Sequence, residues 1–304
     1  MTLPAIDANR LFHEWQIDID GWESFQAEVN HLTSTYETER FVWRGQSDAS
    51  WGLQSSLHRA VSELQGRPAT EDELVRAERN LLWRARVDWR MDGISSLPLL
   101  AQMQHVGVPT RLLDVTMNPL IAAWFATARN DKTDHKAARL LVFVDGNKPL
   151  QLNSLWNTNT PRWHQLKSDS ARRHANWGTG LGRKIWRPPA LHARIPAQSA
   201  AFILDGVPID GADGGVHGDS IWTAGQLREF ASVPMRLAHV RGGRLPNSFA
   251  PVFTYRISAE AKREIRHQLE ERFGYRFSTV YADIEGLAQY ARTWPEDALG
   301  DVTS

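Results

Sequence analysis

Gln104-His-Val-Gly-Val-Pro-Thr-Arg-Leu-Leu-Asp114, continued by Val115-Thr-Met-Asn-Pro119 and Ala122-Ala-Trp-Phe-Ala126, is the most informative stretch of this 304-residue chain. Just before it, residues 97–106 have the pattern of a short helix that stops at Gly107, with Pro109 beyond as a stop signal. Just after it, Asn118-Pro119 opens a helix that is apolar nearly all round through Phe125, and such a helix is buried. Between the two, Arg111 and Asp114 bracket a pair of leucines. In a helix the two charges share a face and pair locally; in an extended chain they point opposite ways. A charge in so apolar a setting is either paired or put to use.

Outward from this stretch the periodicities alternate. Asp20-Gly-Trp-Glu23 has the spacing of a capping box with a carboxylate cap, and opens a helix to about Thr33. Phe41-Val-Trp43 is strand-like and runs into Arg44-Gly45. Thr70-Glu-Asp-Glu73 is a second capping box, opening a long helix to about Arg90. Residues 139–144, 200–204 and 251–257 read as strands, the first two closed by Asp-Gly. Ser258 caps a helix that Gly274 ends, and a last helix starts near Asp283 and carries Leu287 and Tyr290. Residues 211–218, rich in Gly and Asp, read as a surface loop. Strands and helices mix without a regular βαβ alternation, so the fold class is α+β, a mixed sheet core with flanking helices.

Composition narrows the function classes. Lys plus Arg equals Asp plus Glu, 35 against 35, so global charge gives no steering toward nucleic acid or membrane. With no cysteine, disulfides, thiolate metal sites and thiol nucleophiles are excluded. No histidine spacing reads as a metal signature, so no metal is expected. The N-terminus lacks the pattern of a secretory signal and no apolar run is long enough to cross a bilayer. These features lead us to expect a soluble, cytoplasmic protein.

Residues 151–198 differ from the rest, being rich in Trp, Arg, His, Pro and Gly with weak periodicity. Residues 162–194 hold eight Lys or Arg against one acid, Asp169. Two readings stay open. The cations, Arg172, Arg173, Arg183 and Lys184 among them, grip a nucleic acid or protein partner while Trp163, Trp177 or Trp186 stacks on bases. Alternatively the segment is an insertion folded on the body with its cations solvated.

Three segments together resemble the FRG domain family. They are Val42-Trp43-Arg44-Gly45-Gln46 with Leu53-Gln-Ser-Ser-Leu-His-Arg59; the stretch from Gln104 to Ala126; and Ala197-Gln-Ser-Ala-Ala-Phe202, followed by Val280-Tyr-Ala-Asp-Ile-Glu-Gly-Leu287. The resemblance implies one FRG-type domain over residues 1–304, with the basic, Trp-rich insertion at about 151–198. It also implies phage-defence or toxin company. An early strand ending in Arg-Gly and a late strand with a key polar residue are similar to the ADP-ribosyltransferase fold. That likeness implies an NAD-consuming transferase acting on nucleic acid or protein, with NAD as substrate. The alternative is a non-catalytic nucleotide- or nucleic-acid-binding module.

The candidate site follows from residues and resemblance together. Arg44 at a strand end suits a diphosphate, and Gly45 lets a ligand approach the backbone; the other use of Arg44 is an ion pair with Asp114. His105 in a Gly- and Pro-shaped turn suits a ribose contact or acid–base work, or packs on backbone carbonyls. Gln104, Thr110 and Arg111 join it as cofactor-binding candidates. Asp114 is expected as the structural partner of Arg44 or Arg111. The resemblance places Gln198 where a transferase of this fold carries its catalytic glutamate, and a glutamine has no negative charge to stabilise a cation. Glu229 and Glu285 are the spare carboxylates. Arg44, Gln104, His105, Thr110 and Gln198 are expected to line one cleft.

Overall fold

The fold is built around a strand that has no exposed side. β4 (Ala138–Val144) is buried along its entire length. Leu140, Val142 and Val144 face one core with Trp43, Trp124, Phe253 and Ile265, while Leu141 and Phe143 face another with Phe12, Val42, Val115 and Phe230. Such a strand is stable only at the centre of a sheet covered on both faces. The computed structural model describes residues 7–145, 150, 154–210, 222–241 and 250–292.

Six more strands complete one mixed sheet: β1 (Gln16–Ile19), β2 (Phe41–Gln46), β3 (Leu113–Thr116), β5 (Lys184–Trp186), β6 (Ala200–Leu204) and β7 (Val252–Ile257). Their order is β1-β7-β4-β2-β3-β6-β5, with β1 and β7 parallel and every other pair antiparallel. The α+β expectation holds. β2 pairs with β4 through six residues and β3 with β6 through four, whereas β2 and β3 share the single register pair Trp43 with Thr116. The two parts of the sheet therefore meet at one point and diverge beyond it.

The buried helix Pro119–Thr127 lies over that junction, with Asn118 capping it through Leu120 N at 2.9 Å. A Cβ on Gly45 would come within 1.9 Å of Ala122 O and 2.7 Å of Ala126 N. Gly45 is thus required by the close approach of this helix backbone to β2, a different reason from the ligand approach expected of it. The Ser96–His105 helix ends as expected, with Gly107 in the left-handed region at φ 91°. The Thr70 capping box forms, Thr70 Oγ1 accepting from Glu73 N at 3.4 Å and Glu73 Oε2 from Thr70 N at 2.9 Å, and the helix Glu71–Val87 follows. At the first helix, Trp22–Thr35, the cap differs from expectation: Gly21 takes the cap position, and the Ser24 hydroxyl, not Asp20, accepts from the Gly21 N–H at 3.1 Å.

Segment 154–210 corrects the idea of an exposed basic patch. Trp163, Trp177 and Trp186 are fully buried with Leu97, Leu100 and Phe202, so none is free to stack on bases. Trp163 and Trp177 stack on each other with centroids 5.8 Å apart. Arg172 pairs with Asp72 at 2.9 Å and Asp169 at 3.2 Å, and Arg173 pairs with Asp210. Arg183 is buried with its guanidinium 5.0 Å from the Phe143 ring centroid, and Lys184 lies 5.0 Å from that of Trp156. Four of the eight cations thus pair with acids from distant parts of the chain, Arg187 with Asp145 at 2.6 Å and Arg194 with Asp283 at 2.7 Å among them. The Gly- and Asp-rich stretch 211–218 lies outside the described residues. Among the described residues no helix is long and apolar enough to cross a membrane.

Candidate functional site

Where β2 and β3 diverge, a cleft of about 410 Å³ opens, within the range of small-molecule sites. Arg44, Gly45, Gln104, His105, Asp114 and Gln198 all line it. Arg44 fills the gap between the strands: its Nη1 donates to the Asp114 carbonyl at 2.6 Å, an acceptor that a continuous sheet ladder would satisfy with a backbone N–H. Its Nε is buried without a hydrogen-bond partner. Burial lowers the guanidinium pKa, opposed by the Asp114 carboxylate and assisted by Arg59.

Asp114 occupies the cleft wall, surrounded by protein yet reached by solvent through the mouth. Burial raises its pKa against the pull of Arg44 and the Gln104 hydrogen bond. Its Oδ1 accepts from Gln104 Nε2 at 2.7 Å. Gln104 Oε1 in turn accepts from the Thr110 hydroxyl. Thr110 is completely buried behind Gln104, so it orients the amide and does not line the cleft, contrary to its expected place in the lining. The expected carboxylate ion pair of Asp114 with Arg44 or Arg111 is replaced by this relay.

Arg111 faces the opposite way, as the extended alternative requires. It is buried between two acids: Nη1 donates to Glu71 Oε1 at 3.0 Å, and Nε to Glu78 Oε1 at 3.1 Å and Oε2 at 3.0 Å. Trp163 Nε1 and His164 Nε2 also meet Glu78 Oε2 at 2.7 Å and 2.9 Å, while Trp177 Nε1 donates to Glu71 Oε1 at 3.0 Å. Val207 N donates to Glu71 Oε2 at 2.8 Å, so all four carboxylate oxygens are used. Burial alone would lower the Arg111 pKa, but Glu71 and Glu78 outweigh it and hold it above the ordinary value. The cofactor-binding role expected of Arg111 is therefore corrected: it is the hub of a structural network.

Gln198 reaches the cleft, but its Nε2 donates to the Val280 carbonyl at 3.0 Å, and its own carbonyl accepts from Thr116 Oγ1 at 2.6 Å. It thereby ties β3 and the 277–280 turn together. His105 closes the mouth from the end of its helix, stacked on His192 with ring centroids 3.8 Å apart. Its Nε2 lies 3.7 Å from Asp283 Oδ2 and 3.9 Å from Glu285 Oε2. Of the two spare carboxylates, Glu285 thus comes to the mouth, whereas Glu229 is exposed and does not line the cleft.

His192, Arg194 and Tyr281 were missed as site residues, although all three line the cleft. Tyr281 falls in the family-like segment Val280-Tyr-Ala-Asp283, Arg194 is one of the eight Lys or Arg of residues 162–194, and His192 lies in that stretch with no motif around it to single it out. Arg194 bonds Asp283 Oδ1 through Nε at 2.9 Å and Nη2 at 2.7 Å, and its guanidinium sits 4.9 Å from the Tyr281 ring centroid.

Residues 39–135 match the family model of the FRG domain. This segment is an FRG domain. It supplies β2, β3 and the 96–105 helix, and with them Arg44, Gln104, His105 and Asp114. The remaining cleft residues, Gln198, His192, Arg194 and Tyr281, follow the matched FRG segment in the chain. Neither the curated proteins nor the solved structures give a match.

Proposed function

We propose that the Arg44 cleft binds the diphosphate of a nucleotide, with NAD as the substrate, and that the protein is an NAD-consuming, ADP-ribosyltransferase-like enzyme. The observation that carries this reading is Arg44 itself: a guanidinium in the cleft whose Nη1 holds only a backbone carbonyl and whose Nε has no partner. Such a group has capacity left for the planar, two-point contact that phosphate oxygens offer. Asp114 supplies what Gln198 lacks. It is a carboxylate in the same cleft, fixed by Gln104, and it can stabilise the positive charge that develops at the ribose carbon as neutral nicotinamide leaves. A bound diphosphate would also neutralise Arg44. The acceptor would be a nucleic acid or a protein, in keeping with a toxin or anti-phage defence effector.

The non-catalytic reading has an observation of its own. The Gln198 amide is committed to Val280, and no acid occupies its position. One experiment separates the two readings. Wild type and Arg44→Ala are incubated with NAD labelled in the nicotinamide, with and without RNA, DNA or cell protein, and both binding and release are followed. Release that Arg44→Ala and Asp114→Asn abolish supports the enzyme. Binding of NAD or ADP-ribose that is lost in Arg44→Ala, with no release under any condition, leaves the binding module. Failure of wild type to bind any nucleotide sinks both.

A further inference from the structure

We infer that His105, His192 and Asp283 form a binding site for one divalent transition-metal ion of the zinc class at the mouth of the cleft. The ligand atoms these three side chains offer all lie within 4.8 Å of one another. They come from three separate places: the end of the 96–105 helix, the loop after β5, and the residue preceding the helix Ile284–Arg292. This explains why no ligand spacing is visible along the sequence.

The state of Asp283 points to a ligand. Its Oδ1 is saturated, accepting from both Arg194 nitrogens and from Gly286 N at 2.8 Å. Its Oδ2 is buried without a hydrogen-bond partner and faces His105 Nε2 at 3.7 Å. A carboxylate held rigidly through one oxygen, with the other left open, is arranged for one-point coordination, and Arg194 is the outer group that orients it. His192 Nδ1 is likewise buried and unpartnered. Buried polar atoms without partners are rare, and two in one cluster call for something to satisfy them. The two imidazoles do not hydrogen-bond each other, because they lie face to face with centroids 3.8 Å apart.

Two imidazoles and a carboxylate select a transition ion over calcium or magnesium, which prefer oxygen-only shells. Tetrahedral coordination at about 2.0–2.2 Å implies ligand separations of about 3.3–3.6 Å. The His105–Asp283 separation is already near that range, and the ligand atoms of all three residues lie within 4.8 Å of one another. Glu285 Oε2, 3.9 Å from His105 Nε2, offers a fourth ligand. Where Glu285 stays out, water or a cleft ligand completes the shell. Because His105 and His192 both line the cleft, the ion would stand beside any nucleotide bound at Arg44. The site itself does not depend on that nucleotide.

The test uses the full chain, stripped with a chelator and titrated with Zn²⁺ and with Co²⁺. Calorimetry should give one tight ion per chain, and Co²⁺ should develop the visible absorption of a low-coordinate nitrogen–oxygen site. His192→Ala and the milder Asp283→Asn should each weaken affinity at least about tenfold. Zn²⁺ in excess should raise the wild-type Tm and leave that of His192→Ala unchanged. Should a variant fail to fold, Co²⁺-induced loss of the His105 and His192 imidazole NMR signals in the wild type decides the matter. Uptake equal in wild type and variants, or histidine signals that Co²⁺ leaves untouched, would overturn the assignment and leave the pair as a packing stack. Neither outcome bears on nicotinamide release, which the Arg44 variant tests separately.

Discussion

Arg44 and Arg111 come from the same FRG segment and both sit among protein atoms, yet they occupy opposite kinds of environment. Arg111 is closed in by Glu71 and Glu78, and every carboxylate oxygen around it is used. Arg44 has one backbone carbonyl, an idle Nε and an open cleft in front of it. Both guanidiniums keep one buried nitrogen without a partner, Nη2 of Arg111 and Nε of Arg44, so the difference lies in charge pairing and access: Arg111 is paired with two carboxylates away from the cleft. Among the described residues Arg44 has no carboxylate within ion-pair distance, and it faces a cavity, which is the arrangement that the proposed nucleotide site draws on. Arg111 therefore belongs to the structural network, and recognition by Arg44 is the proposal to be tested against it.

The largest expected effect follows from breaking the closed site. Arg111→Leu leaves two buried carboxylates without their cation and should cost at least about 3–5 kcal/mol in denaturant unfolding. Arg44→Leu, measured alongside, should cost only about 1 kcal/mol, the value of one hydrogen bond. Equal losses would erase the distinction drawn between the two.

A second expectation sharpens the comparison through pH. His58 is fully buried, one turn from the capping Ser55, and burial depresses its pKa from 6.5 to about 4, with Arg59 adding to the effect and Glu71 opposing it. The unfolded chain takes up a proton near pH 6.5 and the folded chain does so only near pH 4. Stability due to neutral His58 is therefore complete above pH 6.5 and lost as pH falls through the folded pKa, by roughly 3 kcal/mol in all. His58→Gln should flatten the stability profile between pH 6.5 and 4. An unchanged slope in that variant would assign the acid sensitivity elsewhere.

The smallest effect belongs to the cleft. Asp114 has a single side-chain partner, Gln104, and is open to solvent, so Asp114→Asn should change stability by no more than about 1 kcal/mol. This is well below the loss expected had Asp114 been the buried partner of an arginine. Chemical denaturation of Asp114→Asn checks it, and a shift as large as that of Arg111→Leu would place Asp114 with the structural groups.

What the sequence determined by itself is local. The β4 strand, the buried helix after Asn118, the Thr70 capping box and the Gly107 and Gly274 stops are all legible, because each depends on side-chain periodicity or on backbone conformation within a few residues. The grouping of Arg44, Gln104, His105 and Gln198 was legible too, through polar residues placed beside strand ends and turns. Tertiary structure decided the rest. Only the extended course of β3 sends Arg111 and Asp114 to opposite sides, and a spacing of three residues allows either arrangement. Only the fold brings Asp72, Asp210 and Asp145 to Arg172, Arg173 and Arg187, turning an apparent basic patch into paired charges. Likewise His105, His192 and Asp283 are far apart along the chain and meet only in space. The physical reason is the same throughout: periodicity and capping act over one or two turns of chain, whereas the partner of a charge is chosen by whatever the packed sheet places within about 4 Å of it.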